Sequence, residues 1–333
     1  MIERTSTEDK AGFRLSVVAP VFNEAEVLRE FHRRIRQVFA DNDYRGEIVF
    51  VNDGSTDESI DVLHQLRASD QEITIVDLSR NFGQQLAFTA GIDHASGDAV
   101  VLMDADLQDP PELIPRLIEK WREGFDVVYA TRTARKSETA LIKLSSFAFY
   151  RVMQLFGEVH FPRDTGQFRL LSRRAVDAVC KSRERNRYML HLYSWIGFPQ
   201  TSVTYERDAR FAGKTKWSHW KRWNLAIEAV TSASTAPLKL ITYFGMATAL
   251  IAFVFGVYFV GKTLLYGDPV AGFPTLITVV LFLGGVQLIA LGIMGEYLGR
   301  TFVETKNRPL YLVKELHPSS LRRETMEQIA HCG

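Results

Sequence analysis

The sequence predicts an α/β domain, a mostly parallel sheet with helices on both faces, followed by a carboxyl-terminal two-helix transmembrane hairpin. Three observations predict it. Over residues 14–212, continuous apolar runs alternate with helical patterns, as in a parallel sheet covered on both sides. Polar and acidic residues gather where those runs end. Two stretches without a charged side chain, 241–261 and 273–295, follow. Each matches the roughly 20 apolar residues that a membrane-crossing helix needs.

The elements can be justified in order. LSVVAPV (15–21) is a buried strand, and a helix-period stretch follows to about Ala40. EIVFVND (47–53) is a second strand; Gly54-Ser55-Thr56-Asp57 then opens a helix, with Ser55 or Thr56 as the expected cap. ITIVDLS (73–79) is a third strand and GQQLAFTAGIDHAS (83–96) a helix. DAVVLMDAD (98–106) is a fourth strand. PPELIPRLIEKW (110–121) is a helix whose prolines suit the first turn, and FDVVYATR (125–132) is a fifth strand.

The division that results has a polar segment at 1–13, the α/β domain at 14–212, an interfacial helix at 213–238, the hairpin at 239–296 and a final segment at 297–333. In WSHWKRWNLAIEAVTSAS (217–234), Trp217, Trp220, Trp223 and Ile227 fall near one helical face beside basic residues. That pattern suits the membrane interface, or packing on the soluble domain. Lys214, Lys216, Lys221, Arg222 and Lys239 precede the first span; Arg300, Lys306, Arg308 and Lys314 follow the second. The positive-inside rule then puts both flanks in the cytoplasm and the hairpin in the inner membrane. After Pro309, LYLV reads as a short edge strand, in its own sheet or a neighbour's.

Composition narrows the function. The 333 residues hold Lys+Arg 40 against Asp+Glu 39, a net charge of +1, which argues against a nucleic-acid grip. Cys180 and Cys332 offer neither metal spacing nor a disulfide framework. His94, His160, His191 and His219 share no ligand spacing, so no zinc site is expected. The polar start lacks the apolar core of a signal peptide. No G-x-G-x-x-G and no G-x-x-x-x-G-K-[ST] occurs, which disfavours dinucleotide dehydrogenases and P-loop enzymes.

In open α/β sheets ligands bind beyond the carboxyl ends of the strands. Four ends here are polar: Pro20-Val21-Phe22-Asn23-Glu24, Asn52-Asp53-Gly54-Ser55, Asp104-Ala105-Asp106-Leu107-Gln108-Asp109 and Thr131-Arg132. Asp104 and Asp106, two apart in an extended segment, point to one side. With Gln108 they suit Mg²⁺ or Mn²⁺, which would neutralise a departing diphosphate. Asp53 can accept hydrogen bonds from a base or ribose. Arg173, Arg174, Arg183, Arg185 and Arg187 are expected to be mostly solvated or to face anionic headgroups.

SVVAPVFNE, VNDGSTD, NFGQQLAFTAGIDHASGD and DADLQDPPELIP together resemble glycosyltransferase family 2, with its GT-A nucleotide-diphosphosugar fold. RFAGKTKW (210–217), LFLGGVQLIALGIMGEYLGR (281–300) and RPLYLV (308–313) extend the resemblance to the polyprenyl-phosphate glycosyltransferases, from about residue 14 to about 313. The resemblance implies that Pro20, Phe22, Glu24, Asp53, Gly83 and Asp104 hold the nucleotide. It implies that Asp104, Asp106 and Gln108 hold the metal. It places Arg132, Arg169, Lys214 and Lys216 toward the acceptor phosphate. It also implies inverting transfer of one sugar from a nucleotide diphosphate to a lipid monophosphate at the cytoplasmic face, by a homotetramer. UDP-glucose is the first choice of donor; UDP-GlcNAc, GDP-mannose and a modified arabinose stay open.

One segment departs from the family pattern. Bacterial relatives often read T-G-D-F-R-L, with the Asp proposed as catalytic base, whereas this chain reads Thr165-Gly166-Gln167-Phe168-Arg169-Leu170. Gln167 cannot act as a base; Asp164, three residues earlier, is either a substitute, as the resemblance to mannose synthases suggests, or a turn carboxylate. The acceptor softens the demand: a phosphate with a second pKa of about 6 is mostly dianionic at pH 7. Asp106, Arg132, Arg169 and Lys216 therefore count for more than any base. Two other readings stay open, a catalytically silent binder of nucleotide sugar or lipid phosphate, and a processive polysaccharide synthase. The latter is disfavoured because His219-Trp-Lys-Arg-Trp223 lacks the Gln of Q-x-x-R-W.

Overall fold

A computed structural model describes residues 12–132, 165–185, 187–205, 236–266 and 272–322. Eight strands form one sheet in the order β7-β5-β6-β4-β1-β2-β3-β8. The amino-terminal half alternates strand and helix: β1 (Arg14–Val21), α1 (Leu28–Asp41), β2 (Arg45–Asn52), α2 (Ser59–Ser69), β3 (Ile73–Leu78), α3 (Gln84–His94) and β4 (Ala99–Leu102). A 3₁₀ turn at Pro111–Leu113 then runs into α4 (Ile114–Arg122), followed by β5 (Val127–Arg132). The second half holds β6 (Thr165–Ser172), α5 (Arg173–Lys181), α6 (Met189–Trp195), β7 (Gln200–Tyr205), α7 (Ala236–Tyr266), α8 (Phe273–Thr305) and β8 (Val313–His317).

The five strands expected from sequence all form. β1 lies between β2 and β4, and β2 pairs with β3, all parallel. Their residues alternate between two apolar layers because successive strand side chains face opposite ways. Leu15, Val17, Ala19, Ile48, Phe50 and Val101 pack under α1, α2 and α4, while Val18, Val49, Val51, Val100 and Leu102 pack under α3, α5 and α6. Gly91 lets α3 lie close to this second layer: a Cβ there would stand 2.1 Å from Val18 Cγ1.

Two strands were not foreseen. β6 inserts antiparallel between β4 and β5, and β7 joins β5 in parallel. β4 is shorter than the expected 98–106, because the chain leaves the sheet at Met103 and turns through Leu107, whose φ is +56°. β8 adds antiparallel to β3 of its own chain. The carboxyl-terminal segment is fastened further by the buried Glu47, whose carboxylate accepts from Ser16 Oγ (2.9 Å), Ser96 N (2.8 Å), Thr74 Oγ1 (3.1 Å) and Ser319 Oγ (2.5 Å).

α7 and α8 form over the two uncharged stretches, α8 running past residue 295 to Thr305, but of the two expected spans only one is found among the described residues. Among the described residues, Phe282–Thr305 is long and apolar enough to cross a membrane, and Ile241–Phe255 is a shorter apolar helix. Phe244, Phe253, Tyr258, Phe282, Leu288 and Leu291 are all exposed, apolar surface that no described residue covers. The polar start at 1–11, the interfacial helix through residue 235, and Asp164, Lys214 and Lys216 lie outside the described residues.

Candidate functional site

The rim beyond the carboxyl ends of β1 to β4 is built by loops that hold one another. Asn23, at φ +55°, receives a hydrogen bond on Oδ1 from Thr56 N (2.8 Å), and its own N–H donates to Ser55 Oγ (3.1 Å). Glu24 N donates to Ser59 Oγ at 3.0 Å and Ala25 N to Asp57 Oδ2 at 3.3 Å. The β1 and β2 loops are thus one polar unit. The expected cap is corrected here: Ser55 and Thr56 are committed to Asn23, and Asp57 Oδ1 accepts the Ser59 N–H at 3.0 Å instead. Pro20 and Glu24 are half-buried on this unit, and the Phe22 ring is 38% exposed at its lip.

Asp53 ties the next loop in. Its two carboxylate oxygens accept the backbone N–H groups of Phe82 (2.7 Å) and Gly83 (3.0 Å). Burial pushes its carboxyl up, opposed by those two N–H bonds and by Arg80. Gly54 makes the approach possible: at φ +66°, a Cβ would stand 2.5 Å from Asn81 N. Gly83, at φ +96°, starts α3. Asp53 thus organises the loop that carries Gly83, and a carboxylate with four acceptor sites keeps capacity for a ligand hydroxyl.

The β4 loop supplies the carboxylates. Asp104 Oδ1 accepts from Gln84 Nε2 at 2.6 Å, and Asp106 Oδ1 accepts from Gln108 N at 3.1 Å. Asp104 is half-buried and Asp106 nearly buried. The loop thus carries two carboxylates and the half-buried Gln108 amide, oxygen donors of the kind a hard divalent cation takes, although they follow the end of β4 and do not lie in the extended segment expected from sequence. The described residues that gather three ligands of the His, Cys, Asp and Glu type are His64, Glu315 and His317, a mostly exposed group on α2 and β8. The histidine spacings read from sequence did not include it, and it is not part of the rim.

β6 brings Gln167 and Arg169 to the same rim. Arg169 pairs with Leu102 in the sheet, so Gln167 stands level with the Asp104 loop. Both face the layer of α3 and α6. Arg169 is 2% exposed and its guanidinium lies 4.2 Å from the Tyr193 ring centre. It donates to Gly166 O at 2.7 Å, and no described carboxylate is within ion-pair reach. Burial pulls its pKa down to about 10, so it stays a cation at neutral pH. A cation held without a counter-ion is prepared for an anionic ligand. The Gln167 Oε1 is buried with no hydrogen-bond partner among the described residues. The Arg132 backbone ends β5; its side chain lies outside the description.

The expectation of solvated arginines holds for Arg174 and Arg183, which are exposed, and is corrected for Arg173, Arg185 and Arg187, which are not. Arg173 donates to Gly97 O, Arg174 pairs with Asp126, Arg183 with Asp93 and Arg185 with Glu304. Arg187 is 5% exposed, and donates to Val179 O at 3.2 Å. Each caps or bridges elements that only the folded chain brings together. Sequence reading also missed Gln84 and Tyr193. The alternation in TGQFRLLS was the available signal for β6, and with it for the inward face of Gln167 and Arg169.

A mostly parallel sheet with carboxylates on the β4 loop and an arginine on the neighbouring strand agrees with the glycosyltransferase resemblance read from the sequence. The model of the family described as "Glycosyl transferase family 2" matches residues 16–180. The bactoprenol glucosyl transferase of Shigella phage SfII is 44% identical over 304 residues, 91% of this chain and 98% of that protein. The prophage bactoprenol glucosyl transferase homolog of Escherichia coli K12 is 42% identical over 303 residues, 91% of this chain and 99% of its own length. An uncharacterized glycosyltransferase of Synechocystis sp. is 46% identical over 302 residues, covering 91% and 95%. The chain belongs to glycosyl transferase family 2. Among solved structures, a mannosyltransferase from Pyrobaculum calidifontis is 15% identical, with a TM-score of 0.45 over 89% of this chain and 87% of that one.

Proposed function

We propose that this glycosyltransferase moves one sugar, with inversion, from a nucleotide-diphosphate sugar to polyprenyl (undecaprenyl) phosphate at the cytoplasmic face of the inner membrane. UDP-glucose is the first choice of donor, because the relatives named for their activity are bactoprenol glucosyl transferases. What supports the reading is two carboxylates, Asp104 and Asp106, on the loop after β4 and, one strand over on β6, a buried Arg169 with no described carboxylate within ion-pair reach. The apolar helix that ends beside the catalytic domain supports a lipid acceptor. α7 would complete a hairpin, with both flanks cytoplasmic by their basic residues. A homotetramer follows from the family resemblance alone.

In this scheme Pro20, Phe22, Glu24, Asp53 and Gly83 line the nucleotide side. Asp104, Asp106 and Gln108 would hold Mg²⁺ or Mn²⁺, which when bound supplies charge neutralisation for the leaving diphosphate. Arg169, with Arg132, Lys214 and Lys216, holds the acceptor phosphate. A phosphate oxygen attacks the sugar C1, a new C1–O bond forms on the opposite face, and the old C1–O bond breaks. The nucleotide diphosphate leaves with the electron pair. The attacking oxygen is already ionised at neutral pH, so no base at Gln167 is required. Asp164 then serves, if at all, by positioning.

The test incubates detergent-solubilised protein with radiolabelled UDP-glucose and polyprenyl phosphate, with Mn²⁺ or Mg²⁺ or with EDTA. Label should enter the organic phase only with metal, and Asp106→Ala should abolish it. Transfer that persists in EDTA would overturn the metal assignment. Silence with UDP-glucose would pass the test to UDP-GlcNAc, GDP-mannose and a modified arabinose. Silence with all four while nucleotide still binds would favour a silent binder, the reading that Gln167 supports.

A further inference from the structure

The loop between α5 and α6 carries arginines at alternate positions, and each goes to a different place. Arg183 reaches Asp93 on α3, Nη1 to Oδ2 at 2.7 Å. Arg187 turns inward and lies near Tyr193, the ring that backs Arg169. Arg185 faces the end of the long helix α8. Its backbone N–H donates to Glu304 Oε1 at 2.6 Å. Its guanidinium donates to Glu304 O at 3.1 Å, to Asn307 Oδ1 at 3.1 Å and to the Arg308 carbonyl.

This is more than a surface ion pair. A helix carboxyl end leaves its last carbonyls without partners and favours a cation. α8 ends without glycine; Lys306 closes it in a helical conformation and Asn307 takes φ +46°. Arg185, its side chain 14% exposed, supplies the missing donors from another part of the chain. Nearby contacts fix the same junction: Tyr311 donates to Asp93 Oδ2 at 2.7 Å, and Ser79 N to Leu312 O at 2.9 Å.

The length of α8 gives this clamp a consequence. Its 33 residues span about 50 Å, against about 30 Å for a bilayer core. The turns after residue 295, which carry Glu296, Arg300 and Glu304, are the part of α8 suited to project, and that end is gripped by the loop that also carries Arg187 and leads into α6. We infer that Arg185 is a positioning residue for the lipid acceptor, fixing the height and tilt of α8 relative to Arg169. It touches neither sugar nor phosphate. The bilayer sets where the lipid phosphate lies, the sheet sets where Arg169 lies, and Arg185 joins the two frames. The inference rests on the proposed lipid-phosphate acceptor.

The experiment places full-length protein in phospholipid vesicles and compares two acceptors: long-chain polyprenyl phosphate in the bilayer, and a short water-soluble prenyl phosphate. Arg185→Ala should lower kcat/KM for the bilayer acceptor by about 10- to 100-fold, the scale of an ångström misplacement. The soluble acceptor and the KM for the donor should stay within about 3-fold. Glu304→Gln, which keeps the helix and its carbonyl contact, should show the same selective loss at smaller size. Equal loss on both acceptors, or loss on neither, would overturn the inference. Wild-type protein that used neither acceptor would count against the proposed function itself, and the inference would fall with it.

Discussion

Arg169 concentrates the energetics of the site. It is buried, stacked on Tyr193, and among the described residues it donates to the backbone carbonyls of Gly166 and Gln167. Its charge is lost only as pH approaches about 10, while the acceptor phosphate gains its second charge near pH 6. The account therefore predicts that kcat/KM rises to about pH 7, holds, and falls toward pH 10. Arg169→Lys should bring the alkaline fall to lower pH, because burial depresses an amine readily and the planar fork and stacking are lost. An unchanged alkaline limb would remove Arg169 from the acceptor side. Asp70 gives a second residue-scale prediction. Burial alone would raise its carboxyl, but His32, Arg36 and the Glu72 N–H hold it at about 2 against 3.8 unperturbed. A depressed carboxyl stabilises the fold above its unfolded pKa and stops doing so as pH falls through the folded one. Asp70→Asn should cost about 1–2 kcal/mol at pH 5–8, with the difference vanishing between about pH 4 and 2 in denaturation midpoints.

At the scale of elements, what was legible followed periodicity. β1 to β5 are apolar runs, and each was readable because a strand buried on both faces has no polar alternation to obscure it. β6 was not, because Gln167 and Arg169 interrupt its apolar face and the antiparallel insertion depends on long-range pairing. The rim carboxylates were legible from their position after β4; that Gln84 holds Asp104 was not, since no local pattern joins residues twenty apart. The role of Glu47 was equally hidden. Four hydroxyl groups and a backbone N–H, drawn from β1, β3, the segment before β4 and the carboxyl-terminal segment, converge on it. Glu47→Ala would strand these donors in the interior and should cost about 3 kcal/mol or more, seen as a lowered thermal midpoint. A cost below about 1 kcal/mol would mean that water replaces the carboxylate and that the carboxyl-terminal segment is held by β8 alone.

At the scale of the whole molecule, a family 2 catalytic domain is tied at one sheet edge to the chain emerging from a long apolar helix. In the proposed scheme that connection ties the sugar-transfer rim to the membrane that holds the lipid acceptor. The most direct test of the central claim is the mass of the lipid recovered after incubation with UDP-glucose, polyprenyl phosphate and Mn²⁺ or Mg²⁺. The account predicts a polyprenyl phosphate heavier by a single hexose with wild-type protein, and unmodified lipid with Asp106→Ala. A lipid carrying a run of sugars, or no sugar from any nucleotide-diphosphate donor while nucleotide still binds, would contradict it.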